Sequence, residues 1–200
     1  MHERTPQDSE NKDDDQSPEQ EPRQSPRIYV ASLADYNEGR LYGAWIDAAQ
    51  DPDDLGKAVE QMLAAAPSPC AEEWAIHDYE GFGLLHLHEF EKLEDVAKVA
   101  AGIHRHGPAF SAWAAHVGID SELLDRFEDA YMGEWADGTE FAKQMIDDMG
   151  EFKEVKDRLP QHLACHVDIN YDDFFDGLVL GGEIWFMEKL DGGVYVFRNW

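Results

Sequence analysis

Nine histidines and two cysteines give this 200-residue chain several places where a metal or proton-transfer site could be built. The best spacing is His162, Cys165 and His166, because positions i, i+3 and i+4 share one helix face. Zinc needs a further ligand, and Asp168 is the near neighbour that could supply it. Asp168, Asn170 and Asp172 also fall at the first, third and fifth positions of a calcium loop. That motif fails at Asp173, where glycine is required, and at Val179, where a bidentate glutamate belongs. His88-Glu89 has no histidine four residues after His88, so the zinc-protease helix motif fails too. His104 and His106 point to different sides of a helix. His77-Asp78 has the form of an acid–base pair, but no nucleophile accompanies it. No glycine-rich phosphate loop follows a strand, and there is no nucleophile elbow. The expectation is a protein that is not an enzyme, with no catalytic residue, metal or cofactor.

Carboxylates are the chemistry present in excess. The chain holds 43 acids against 16 bases, a net charge of −27. Residues 1–26 carry eight of the acids and three of the bases, so residues 27–200 retain −22. Self-repulsion of that size costs stability, and a surface made only for solubility mixes its signs. Such a surface suits a basic partner and argues against binding nucleic acid or an anionic membrane. The densest stretch is residues 122–154, with eleven acids and three bases. The acids are Glu122, Asp125, Glu128, Asp129, Glu134, Asp137, Glu140, Asp147, Asp148, Glu151 and Glu154. A compact chain of this size is about 40 Å across, and duplex DNA of that length carries about 24 phosphates. The −22 is of the same order. Carboxylates on helix faces could therefore stand where a DNA-binding groove expects phosphates. Halophilic proteins and acidic chaperones share these totals, so charge alone leaves those readings open.

The elements that must carry this charge are legible in outline. Residues 1–26 contain four prolines, no aromatic residue and only Met1 as a sizeable apolar side chain, which predicts a disordered acidic tail. Residues 28–33 and 41–46 read as strands joined by a turn through Asn37 and Gly39. Asp51-Pro52 opens a helix running to about Ala66, with Leu55, Val59, Met62 and Leu63 inward. Residues 72–79 form a third strand, and helical spacing takes over across residues 84–117. In the acidic stretch, Leu123, Leu124, Phe127 and Tyr131 predict one amphipathic helix. Phe141, Met145, Ile146 and Met149 predict a second. Residues 183–187 and 194–197 form a hairpin through Asp191, Gly192 and Gly193. The fold class is α+β, with a helical middle between two strand-bearing ends. Two cysteines make no disulfide scaffold, and no signal peptide or membrane span is apparent, so a cytoplasmic protein is expected.

Three stretches together resemble the ArdA-type antirestriction proteins. YVASLADYNEGRLYGAWID (residues 29–47) and EEWAIHDYEGF (residues 72–82) are similar to that family's N-terminal signature. DAYMGEWADGTEFAKQMIDDMG (residues 129–150) resembles its antirestriction segment, and YVFRNW (residues 195–200) its aromatic C-terminal strand. The resemblance covers residues 27–200. It implies an elongated molecule of three small domains, here 27–88, 89–120 and 121–200, that dimerises and mimics B-form DNA. It further implies binding in the DNA groove of type I restriction–modification enzymes, in a protein typical of mobile genetic elements. Asp35, Glu38, Asp47, Asp51, Asp53 and Asp54 would then extend the carboxylate stripe onto the N-terminal domain. A mimic directed at a nucleoid protein or transcription regulator is the alternative. The acidic tail departs from the family pattern. So does the central domain, where five acids face three bases and four histidines, counting His88.

Overall fold

The computed structural model describes residues 25–199, so the expected tail lies outside them except for Ser25 and Pro26. The first sheet comprises β1 (Arg27–Ser32), β2 (Gly43–Asp47) and β3 (Trp74–Glu80), in the order β2-β1-β3. Both pairings are antiparallel. Where the sequence suggests a plain turn, Leu33–Asn37 forms a short helix, α1, capped by the Ser32 hydroxyl, which accepts from the Asp35 N–H. Helix α2 (Pro52–Ala64) begins as its sequence predicts. The Asp51 side chain accepts from the Asp53 N–H, Pro52 takes the first turn, and Leu55, Val59 and Met62 are buried.

After β3 the chain is irregular through residue 92, although helical spacing is expected from Leu84. Positive φ at Gly81 and Gly83 turns the backbone, and the Glu89 carbonyl accepts from Ile76 N–H at 2.8 Å. This segment thereby gives the edge of β3 a backbone partner. Helices α3 (Leu93–His106) and α4 (Pro108–Val117) follow, separated by Gly107 at φ 72°.

The first acidic helix expected from the sequence is not one helix. It divides into α5 (Ser121–Leu124), α6 (Phe127–Ala130) and strand β4 (Tyr131–Trp135). The Trp113 indole donates to the Leu123 carbonyl at 3.1 Å, an acceptor that a continuous helix would offer to Phe127. Tyr131 is drawn into the sheet opposite Phe197. The second expected helix is present as α7 (Gly138–Met149), followed by α8 (Glu151–Arg158) and the short α9 (Gln161–Ala164). Helix α10 (Tyr171–Leu180) has no counterpart in the sequence expectation. The hairpin is β5 (Ile184–Glu188) and β6 (Val194–Arg198), and Gly192 and Gly193 take its positive φ values. With β4 it makes a second antiparallel sheet, ordered β4-β6-β5. Two antiparallel sheets with helices packed on them make the fold α+β.

Two cores hold these elements. The first runs from Ile28 and Val30 through Leu55, Val96 and Trp113 to Phe127, spanning positions 88 and 120 without a break. The second gathers Phe141, Phe175, Leu178 and Ile184. Strand β6 belongs to both. Tyr195 and Phe197 point into the first core, Val194 and Val196 into the second, as the two-residue period of a strand requires. The apolar run Val194–Phe197 is thus a central strand buried on both faces.

Candidate functional site

The histidine and cysteine candidates do not assemble. His162, Cys165, His166 and Asp168 are all exposed, and the Cys165 thiol hydrogen-bonds the His162 carbonyl at 3.5 Å. Among the described residues no three His, Cys, Asp or Glu side chains come together as a metal site. Asn170 does helix capping, with its side chain accepting from the Asp173 N–H at the start of α10. His77 faces Glu89 at 3.9 Å and the Tyr36 ring at 4.8 Å, while the Asp78 carboxylate accepts from the Tyr79 N–H. No nucleophile or proton-transfer geometry arises from these groups.

The carboxylates are placed differently. Of the seventeen singled out in the sequence, Asp35 alone is buried, and its place on a surface stripe is corrected. It accepts from the Ser32 hydroxyl at 2.8 Å, Arg40 Nε at 3.0 Å and the Ser68 N–H at 3.1 Å. Burial raises its pKa, but the hydrogen bonds from Ser32 and Arg40, the Arg40 charge and the Ser68 N–H outweigh it, so the carboxyl sits below its usual value. Asp35 ties α1 to the loop before β3 and has no face for a partner.

The other sixteen are exposed, and the structure sorts them by what they touch. Six lie beside a cationic or ionisable side chain: Glu38 with Arg40, Asp54 with Lys57, Asp125 with Lys98, Glu128 with His106, Glu134 with Lys189, and Glu154 with Arg158. Five do local structural work. Asp51 and Asp137 cap helices, Glu140 accepts from the Ala136 N–H, Asp47 from Ser25 and Ala49, and Asp148 from Gln144. The carboxylates of the remaining five, Asp53, Glu122, Asp129, Asp147 and Glu151, are exposed and form no hydrogen bond or ion pair with the described residues. They are spread over α2, α5, α6, α7 and the start of α8. Lys189, largely covered, has its pKa raised by the hydrogen bond to Glu134, and Asp191 adds to the effect at 3.4 Å.

Helix α10 brings in carboxylates that sequence reasoning passed over. Asp172, Asp173 and Asp176 are exposed on it, beside α7. The Phe141 and Phe175 rings meet at 6.1 Å, and Thr139 hydrogen-bonds Asp172. The close approach depends on Gly138, where a Cβ would meet the Phe175 ring at 2.5 Å. The available signal was Asn170 three residues before Asp173, followed by Tyr171, Phe174, Phe175 and Leu178 at helical spacing.

This acidic, site-poor surface has a match in sequence. The model of the family described as antirestriction protein (ArdA) matches residues 28–189. The chain belongs to the ArdA family. The matched span runs from β1 through β5 and so takes in residues of both cores. Comparison with curated proteins gives no match. The ArdA assignment makes antirestriction, an inhibitory role directed at restriction enzymes, the family function. No helix of the described residues is long and apolar enough to cross a membrane.

Proposed function

We propose that this ArdA protein mimics B-form DNA and blocks type I restriction–modification enzymes by occupying their DNA-binding groove. The observation that carries the proposal is the set of sixteen exposed carboxylates distributed over both halves of the fold, five of them unengaged. Carboxylates that cap helices or pair with lysines hold their positions, while the unengaged ones offer full charges to a basic groove. Binding then releases the counterions of the basic groove, much as DNA binding does, and should weaken steeply with salt.

The test is competition for a purified type I methyltransferase core bound to a labelled recognition duplex. Displacement near one equivalent, falling off between about 50 and 200 mM salt, is the expected result. No displacement at either salt would remove type I enzymes as the target, and a pull-down for basic DNA-binding proteins would then address nucleoid and regulatory partners. We include self-association in the proposal. No residue of α8 is buried, and Met149, Val155 and Leu163 are exposed along the same segment. Light scattering at micromolar concentration should give the mass of two chains, and a monomer mass would overturn that part.

A further inference from the structure

We infer that the open face of the first sheet, centred on Trp45, Tyr29 and Arg27, is a salt-independent anchor for the same basic partner. This rests on the DNA-mimic reading and adds a contact that phosphate mimicry does not require. The register defines the face. Arg27 on β1 stands between Asp47 on β2 and Glu80 on β3, and in the next row Tyr29 stands between Trp45 and Asp78. The opposite face, with Ile28, Val30, Ile46 and Ile76, is spent on the core. A half-exposed antiparallel sheet ordinarily shows polar residues to solvent. Here Trp45 remains 38% exposed, its ring 5.6 Å from Tyr29 and under the Arg27 guanidinium at 4.8 Å.

The cluster is held in place before any partner arrives. Arg27 grips Glu80 through two nitrogens, Nε at 2.8 Å and Nη2 at 2.6 Å. Tyr29 lies over Gly43, where a Cβ would come within 3.0 Å of its ring. Tryptophan, tyrosine and arginine are the residues enriched at binding hot spots, and fixing them beforehand removes an ordering cost on association.

Charge selects the occupant. Asp47, Asp78 and Glu80 surround a single Arg27, so the face is net acidic. A second copy would bring the same sign against it. Residues 1–24 carry eight acids and three bases, and their one sizeable apolar residue is Met1, so they complement it neither in charge nor in apolar surface. A basic protein surface offering guanidinium or aromatic planes complements both.

The experiment measures dissociation constants for the methyltransferase core at about 50 and 200 mM salt. It compares the parent protein, Trp45→Thr, Trp45→Phe and a triple variant, Asp147→Asn/Asp148→Asn/Glu151→Gln. Trp45→Thr keeps a strand-forming residue and should weaken binding about tenfold or more at both salts, leaving the salt slope unchanged. Trp45→Phe should bind nearly as the parent does, and the triple variant should flatten the slope. Arg27→Gln removes the half-exposed ion pair with Glu80 and the guanidinium over Trp45 while leaving the core untouched, so it guards against misfolding of the threonine variant. It should weaken binding although it makes the protein more acidic, whereas charge alone predicts tighter binding. Parent binding with a steep salt slope, combined with unaltered affinity in Trp45→Thr and Arg27→Gln, overturns the anchor and spares the mimic. Absence of parent binding at both salts overturns both. A change in the mass of the free protein on Trp45→Thr would assign the face to a second copy and overturn the anchor.

Discussion

Asp35 and Asp53 are the same residue type eighteen positions apart, and the structure gives them opposite tasks. Asp53 stands in water at the start of α2, while Asp35 is enclosed by Ser32, Arg40 and Ser68. Because its folded-state pKa is depressed, Asp35 contributes stability that is fully present above the ordinary value of 3.8 and is lost as pH falls through the lower folded value. Asp35→Asn should therefore destabilise the protein at neutral pH, with the difference from the parent shrinking below pH ~4. Urea melts at neutral and acid pH would check this, and a difference that grows in acid would contradict it. The sequence could not separate these two aspartates. What buries Asp35 includes the Ser68 amide, thirty-three residues away, and no local pattern carries that information. Asp51 was legible because its partner, the Asp53 N–H, is two residues along and Pro52 marks the turn.

Elements repeat the lesson at longer range. Helix α7 was readable from its own apolar stripe, and the hairpin from its paired glycines. The run from Leu123 to Tyr131 was not, because its apolar spacing fits a helix while its partners demand two short turns and a strand. Trp113 claims the Leu123 carbonyl and β6 claims Tyr131, so tertiary pairing overrides the local period. Helix α10 was not expected, although Asn170 caps it and Phe174, Phe175 and Leu178 recur at helical spacing. The contact of α7 with α10 can be tested at Gly138. As the first residue of α7 it has little helix propensity to gain from alanine, and a Cβ would strike the Phe175 ring. Gly138→Ala should cost about 1–3 kcal/mol, seen as a lower urea midpoint. An unchanged or raised midpoint would show that the two helices part without penalty.

For the whole molecule the question is how charge is shared between holding the fold and offering it to a partner. Surface ion pairs such as Asp54 with Lys57 are well solvated and contribute little, so single reversals there should hardly alter inhibition. Neutralising Asp53, Glu122, Asp129, Asp147 and Glu151 together is different, since none is engaged with the described residues. That variant should melt at a higher temperature in low salt, because self-repulsion is relieved, and should displace the recognition duplex less well. A fall in both melting temperature and competition would instead make these carboxylates structural. The acidic surface was legible in composition, and its stretch along residues 122–154 in sequence. How those carboxylates divide into capping, paired and unengaged groups was not.

Strand β6 sets a schedule for the newborn chain. At about 5–20 residues per second, β6 leaves the ribosome about eight to thirty-three seconds after β1. Until then the first core lacks Tyr195 and Phe197, and the second lacks Val194 and Val196. Neither core is complete while the ribosome is still working before β6, so the surfaces of Trp113 and Phe141 that face that strand wait for it. Maturation should come as one late event, and a premature stop anywhere before residue 194 should leave two unfinished cores rather than one working half.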